Sequence, residues 1–325
     1  MALAGVTRPA PCVVWHADAV ALRWPDGRIE PLPGSPAAAP VAAANGLWLV
    51  TRDGQLQRWR WREAWRCEVG VALPAAAHAL TVSANGEHVL VAHGQHVRLL
   101  DGGGGLLRDH PGVDLARRRS GRAAALLALP GRRSLLAAWP ALHEWWEISL
   151  DPAAPPIFDG LVHDHRMGEA IASPGHLGLR RIAFDGPAPL PVFNPPAWPW
   201  VAASAGEELQ VVHLDVRRVV ARLPAQDTAA AGSALHAGQW WLPVGATLLG
   251  IDPRRWTVTA RRPVPGPVQR LAVAGGVLHA LVDGTLWRDE PAGWRAVAHG
   301  VAAVADAGGE LPLQAPPPWV GVALL

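Results

Sequence analysis

The chain has 325 residues, half of them hydrophobic, and a formal net charge of +2 from 29 basic and 27 acidic side chains. No apolar run reaches the 18 or more residues of a membrane-spanning helix. So small a basic surplus gives no electrostatic footprint for nucleic acid. Apart from His, every basic residue is Arg; without Lys, Schiff-base catalysis and the P-loop lysine are excluded.

With 34 Gly and 32 Pro, about a fifth of the chain is turn-forming, which argues for short elements and against a helical bundle. Tyr is absent and only three Phe are present beside 17 Trp, so Trp must fill the large aromatic positions of the core. Cys12 and Cys67 are too few for a disulfide framework, and no Cys-x-x-Cys-His attaches a c-type haem. Residues 1–8 lack a basic n-region followed by an apolar h-region; if Met1 is the true start, a cytoplasmic protein is expected.

In chain order, Asn45-Gly46 opens Leu47–Val50, and Asp53-Gly54 turns into 56–61. Forty residues later Asn85-Gly86 opens 88–92, Gly94 turns, and 97–101 closes the unit. Asn-Gly and Asp-Gly supply the positive φ of tight hairpin turns, so each unit reads as short strands around turns. The grammar repeats at 134–139 with 145–151, at 209–215, at 240–242 with 248–252, and at 277–282. Asp101, Asp151, Asp215 and Asp252 each end an apolar run, as if one strand type recurred with one turn. A strand-built period near 40 is the spacing of β-propeller blades. The expected fold is all-β: a single propeller over 1–325 with eight blades, or seven, closed by pairing of the N- and C-terminal strands. The rhythm breaks between Asp151 and Asp215, 64 residues apart and rich in Pro, which predicts an inserted segment around 152–200. Insertions on propeller faces commonly carry function.

That segment holds His163-Asp164-His165-Arg166, then Glu169 and Arg180-Arg181. Imidazoles ligate metals and Arg forks bind carboxylates, so the group reads as a metal site or an anion clamp. It reads equally as a loop held by its own ion pairs. Elsewhere, His88, His93 and His96 surround one hairpin, and a solvated turn is the expectation there; His16 lies on the first strand. Gly102–Gly105 lacks the spacing and following helix of a phosphate loop. The Trp doublets 145–146 and 240–241 are expected between blades.

The runs Trp146–Pro152, Pro156–Asp164 and Arg166–Ala170, followed by Pro174-Gly175, Arg180-Arg181, Gln210–Asp215 and Pro265-Gly266-Pro267, resemble the cytochrome d1-type haem propellers. These are the d1 domain of cytochrome cd1 nitrite reductase and the propellers that mature or deliver d1 haem. The likeness covers about 80–270 and is strongest at 145–182. It implies an eight-bladed propeller binding d1 haem or its precursor in a central cavity, a periplasmic setting in nitrite respiration, and d1-haem maturation proteins or nitrite reductase as partners. It further implies that Arg166, Arg180 and Arg181 pair with tetrapyrrole carboxylates and that His163 is the imidazole nearest the iron. Where the family shows Pro-His-Leu-Gly-Ser-Gly, this chain has 229–234 without His. With no c-haem segment either, nitrite reduction by this chain alone is not expected; any enzymatic role would be redox maturation of d1 haem. The alternative is a propeller that has lost haem and serves as a protein-interaction platform.

Overall fold

The computed structural model describes all residues except 1–11, 17–18, 25–27, 44–45, 62–63, 159–171, 196–198, 207, 225–232, 275, 300–320 and 325. Its described residues form seven four-stranded antiparallel sheets. Sheet 1 combines Cys12–His16, Ala19–Arg23 and Ile29–Leu32 with Gly321–Leu324 from the far end of the chain. Sheet 2 spans 41–72, sheet 3 spans 77–111, sheet 4 spans 125–183, sheet 5 spans 190–224, sheet 6 spans 234–263 and sheet 7 spans 270–299. The expected closure is present: Cys12 to Trp15 pair antiparallel with Leu324 to Gly321.

First strands of neighbouring sheets approach one another, as in Ala77–Val82 with Ala125–Leu129 and Ala125–Leu129 with Leu190–Phe193. This is the blade arrangement of a propeller. Seven, the lower of the two expected counts, is the number of sheets among the described residues. The surplus expected around 152–200 lies in one connection, 150–178, between the third strand (Glu144–Ser149) and fourth strand (Leu179–Ala183) of sheet 4. Of the rest of 152–200, Leu179–Ala183, Leu190–Phe193 and Trp200 belong to strands of sheets 4 and 5. Leu190–Phe193 forms the first strand of sheet 5 despite Pro191, which an edge strand tolerates because its missing N–H breaks no central ladder.

Burial follows strand position. Second strands of sheets 2 and 4 are covered on both sides: Ser134–Trp139 is buried throughout, as is Leu47–Val50. Fourth strands alternate or face water, as in Thr257–Pro263 and Leu106–Pro111. Because successive side chains leave a strand on opposite faces, each Trp doublet serves two cores. Trp145 packs with Leu136, Val201 and Val212 between sheets 4 and 5, whereas Trp146 packs with Leu90, Leu99 and Trp139 between sheets 3 and 4. Trp240 and Trp241 divide in the same way between the cores on either side of sheet 6. The inter-blade role expected for the doublets is what the structure has.

The recurring Asp residues sit where the third strand hands over to the fourth. Asp101 Oδ1 accepts the backbone N–H groups of Gly103 and Gly105, each at 2.8 Å, and Asp252 Oδ1 accepts that of Arg254 at 2.8 Å. These are Asx-type turns, a local use of a short carboxylate side chain. Gly104 has φ +88, and a Cβ there would meet Val71 Cγ2 at 2.5 Å, so this position of the four-glycine run requires glycine.

His93 departs from the solvated-turn expectation. It is only 3% exposed and stacks on His96 with ring centroids 5.6 Å apart, while His96 Nδ1 lies 3.1 Å from Asp109 Oδ1. Burial, which disfavours the charged ring, holds His78, His88, His93, His110 and His279 below the ordinary imidazole range. For such groups the unfolded chain binds more protons as pH drops through about 6.5, so their stabilisation is intact above that pH and is lost below it. Melting temperature is therefore expected to fall from pH 7.5 to pH 5.5. A flat profile across that interval would contradict the assignment of these rings as neutral.

Candidate functional site

The site is built around sheet 4, from which the 150–178 connection leaves. Two turns of one design bracket its second strand. Leu129-Pro130-Gly131-Arg132 and Trp139-Pro140-Ala141-Leu142 each form a single 3₁₀ turn, with Pro in its first residues and a left-handed residue, Arg133 at φ 49 or His143 at φ 59, closing it. Pro presets the φ of the turn entry. The first of these turns carries Arg132 towards Glu147 on the third strand.

Glu147 is the centre of the arrangement. Its side chain is 6% exposed, and Arg132 Nε lies 2.8 Å from its Oε1. Ser134 Oγ donates to the same oxygen at 2.8 Å, and Arg180 Nε donates to Oε2 at 3.1 Å, with Arg180 Nη2 closing the fork. Asp215, in the turn after the third strand of sheet 5, places Oδ1 2.9 Å from Arg132 Nη2 and 3.8 Å from Arg180 Nη1. Two guanidinium groups are thus shared between one buried and one half-exposed carboxylate. Burial alone would raise the Glu147 pKa; Arg132 and Arg180 override it and hold the carboxyl below its usual range. Burial likewise opposes the charge on Arg132, but Glu147 and Asp215 outweigh it and raise its pKa.

These residues floor a cleft of about 550 Å³ bounded by Arg217, by 154–158 of the long connection and by Gly175. That volume lies within the range of small-molecule sites, about 300–1,000 Å³. Phe158 in its wall is 56% exposed, and Val216, next to Asp215, is 50% exposed. The lining therefore combines guanidinium groups and their carboxylate partners with the exposed ring of Phe158. The cleft lies between outer strands of sheets 4 and 5, beside the third and fourth strands, not among the first strands at the centre. A smaller cavity of about 210 Å³, bordered by Asn85, His88, Arg133 and Ser134, lies between sheets 3 and 4.

Of the residues singled out by sequence, His163 and Arg166 lie outside the described residues. Arg180 lines the cleft. Arg181 does not: the pleat sends it to the opposite face of the strand, where its Nη1 lies 2.6 Å from Glu144 Oε2 and donates to the Val113 carbonyl at 3.1 Å. Its guanidinium also sits 4.4 Å from the ring centroid of Trp146. The strand register makes the split plain, since Glu147 pairs with Arg180 and Trp146 with Arg181. Consecutive arginines thus join sheet 4 to sheet 5 on one side and to the segment that follows sheet 3 on the other, and the two do not form one clamp. Arg132, Glu147 and Asp215 were missed as site residues. The available signal was Glu147 itself, a carboxylate inside an otherwise apolar Trp-Trp-Glu-Ile run. Among the described residues no group of three or more His, Cys, Asp or Glu side chains is arranged to hold a metal ion, and no described histidine lines the cleft.

No family model matches the chain, and no curated protein matches it. Solved structures do. Dihydro-haem d1 dehydrogenase NirN, in complex with DHE, aligns over 88% of this chain with a TM-score of 0.65 at 17% identity; the chain spans 63% of that protein. A proposed 6-phosphogluconolactonase from Bacteroides fragilis aligns over all of both chains with a TM-score of 0.56 at 13% identity. BamB from Moraxella catarrhalis aligns over 80% of this chain and 71% of its own, with a TM-score of 0.52 at 9% identity. At such identities the likeness is one of fold, and together with the seven sheets it makes this chain a β-propeller protein.

Proposed function

We propose that the chain binds a carboxylate-bearing tetrapyrrole of the d1-haem type and serves its maturation or transfer in nitrite respiration. The observation that supports this most is the cleft, whose lining includes two oriented guanidinium groups and an exposed aromatic side chain. A macrocycle with acidic substituents asks for that pairing, because Arg forks bind carboxylates bidentately and apolar surface covers the ring face. The fold likeness to a protein solved with a d1-haem-related ligand points the same way. Described residues supply the carboxylate partners but no imidazole for iron, so the reading concerns binding through the ring substituents. It keeps Arg166 as a further carboxylate partner and His163 as the imidazole nearest the metal. A periplasmic setting, with d1-haem maturation proteins or nitrite reductase as partners, belongs to the same proposal.

The test is an absorption titration of the purified protein with d1 haem, with haem b as control. A saturable shift at micromolar d1 haem is expected, weakened about tenfold by Arg166→Ala or Arg180→Gln. Absence of any shift would overturn the proposal. The second reading, an interaction platform, is favoured by one observation: Arg180 and Arg181 are both already paired with carboxylates of the protein. Partner capture without tetrapyrrole binding would select it.

A further inference from the structure

Glu147 and Asp215 hold the same two arginines in different ways. Glu147 is 6% exposed, bonded also to Ser134, and fixed within a strand. Asp215 is 53% exposed, sits in a turn, and places one oxygen on Arg132 Nη2 and near Arg180 Nη1. The buried carboxylate orients the guanidinium groups; the exposed one covers the donors they turn towards the cleft. Solvent around the half-exposed Asp215 weakens its hold on the arginines, and a carboxylate arriving from outside presents the same chemistry to the same donors.

Resting on the reading of the cleft as a ligand site, we infer that Arg132 and Arg180 form a carboxylate subsite which Asp215 occupies in the free protein and which a ligand carboxylate takes over on binding. Asp215 then acts as an internal competitor. It keeps the arginines paired when the cleft is empty, and it selects for ligands whose carboxylate displaces it. The ligand class is an amphipathic polycarboxylate, with one carboxylate seated where Asp215 Oδ1 now lies and its apolar body against Phe158.

Two probes test this, an iron-free porphyrin carrying four propionate groups and the small aromatic acid benzene-1,3,5-tricarboxylate. Dissociation constants would be measured by calorimetry for the wild-type protein, Asp215→Asn and Asp215→Ser. The expected result is about tenfold tighter binding of a carboxylate probe in both variants. The gain should disappear when Arg132→Gln is added and should be absent for the porphyrin tetra-ester. If wild-type protein binds the porphyrin and the Asp215 variants bind it no more tightly, the competitor role is overturned while the tetrapyrrole reading stands. If the porphyrin fails to bind but the tricarboxylate binds more tightly to the variants, the subsite stands and the tetrapyrrole reading falls. Binding of neither probe to any form overturns both. Melting curves of the variants separate these outcomes from misfolding, since loss of one exposed pair leaves the buried Glu147 fork in place.

Discussion

Trp146→Ala is expected to destabilise the protein by about 3–5 kcal/mol, the range for deleting a large buried aromatic side chain. Trp146 is fully buried, packs against Trp139 with ring centroids 4.3 Å apart and planes tilted by 41°, and donates its Nε1–H to Glu144 Oε2 at 2.6 Å. It is also the surface on which the Arg181 guanidinium lies. The substitution therefore opens a cavity between sheets 3 and 4 and strips a support from the Glu144–Arg181 pair. Trp145→Ala should cost a similar amount through the other core, where Trp145 meets Phe184 edge-on at 5.1 Å and donates to the Pro189 carbonyl at 2.7 Å. Denaturant unfolding would measure both. A loss below about 1 kcal/mol in either variant would refute the description of these rings as fillers of two separate inter-sheet cores. Trp146→Phe should retain most of the stability while losing the bond to Glu144.

Glu147→Leu is expected to cost roughly 3 kcal/mol, at the low end for breaking a buried pair because Arg132 and Arg180 are each about 20% exposed and regain some hydration. Arg180→Gln should cost less, since Glu147 keeps Arg132 and Ser134. The pH dependence has a definite sign. Glu147 titrates below its ordinary value in the folded protein, so its stabilisation is complete above the unfolded carboxyl pKa of about 4.3 and is lost as pH falls through the lower folded value. The difference in stability between wild type and Glu147→Leu should accordingly be largest at neutral pH and shrink on acidification below about pH 4. A difference that does not depend on pH would show that packing, not the ion pair, carries the effect. The same variant should weaken carboxylate binding, because the two guanidinium groups lose the residue that orients them.

The candidate site was legible only in part. Arg180 and the long connection after Asp151 stand out in sequence as charge and spacing. The adjacency of Arg180 and Arg181 misled, because neighbours on a strand point to opposite faces and here serve opposite sides of sheet 4. Arg132 looked like one more polar residue in a Pro-Gly turn. Asp215 looked like one of four equivalent turn residues, and its reach to Arg132 depends on where sheet 5 lies beside sheet 4.

What the sequence determined by itself is local and periodic. Hairpin turns at Asn-Gly and Asp-Gly, strands spaced near 40 residues and Trp doublets divided between two faces all follow from φ preferences and the two-residue strand period, which act over a few residues. The blade count, the placement of the surplus in a single connection and the grouping of Arg132, Glu147, Arg180 and Asp215 were decided by tertiary structure. They depend on how one sheet is stacked against the next, and residues far apart in the chain acquire their partners only when inter-sheet packing brings their turns to one face.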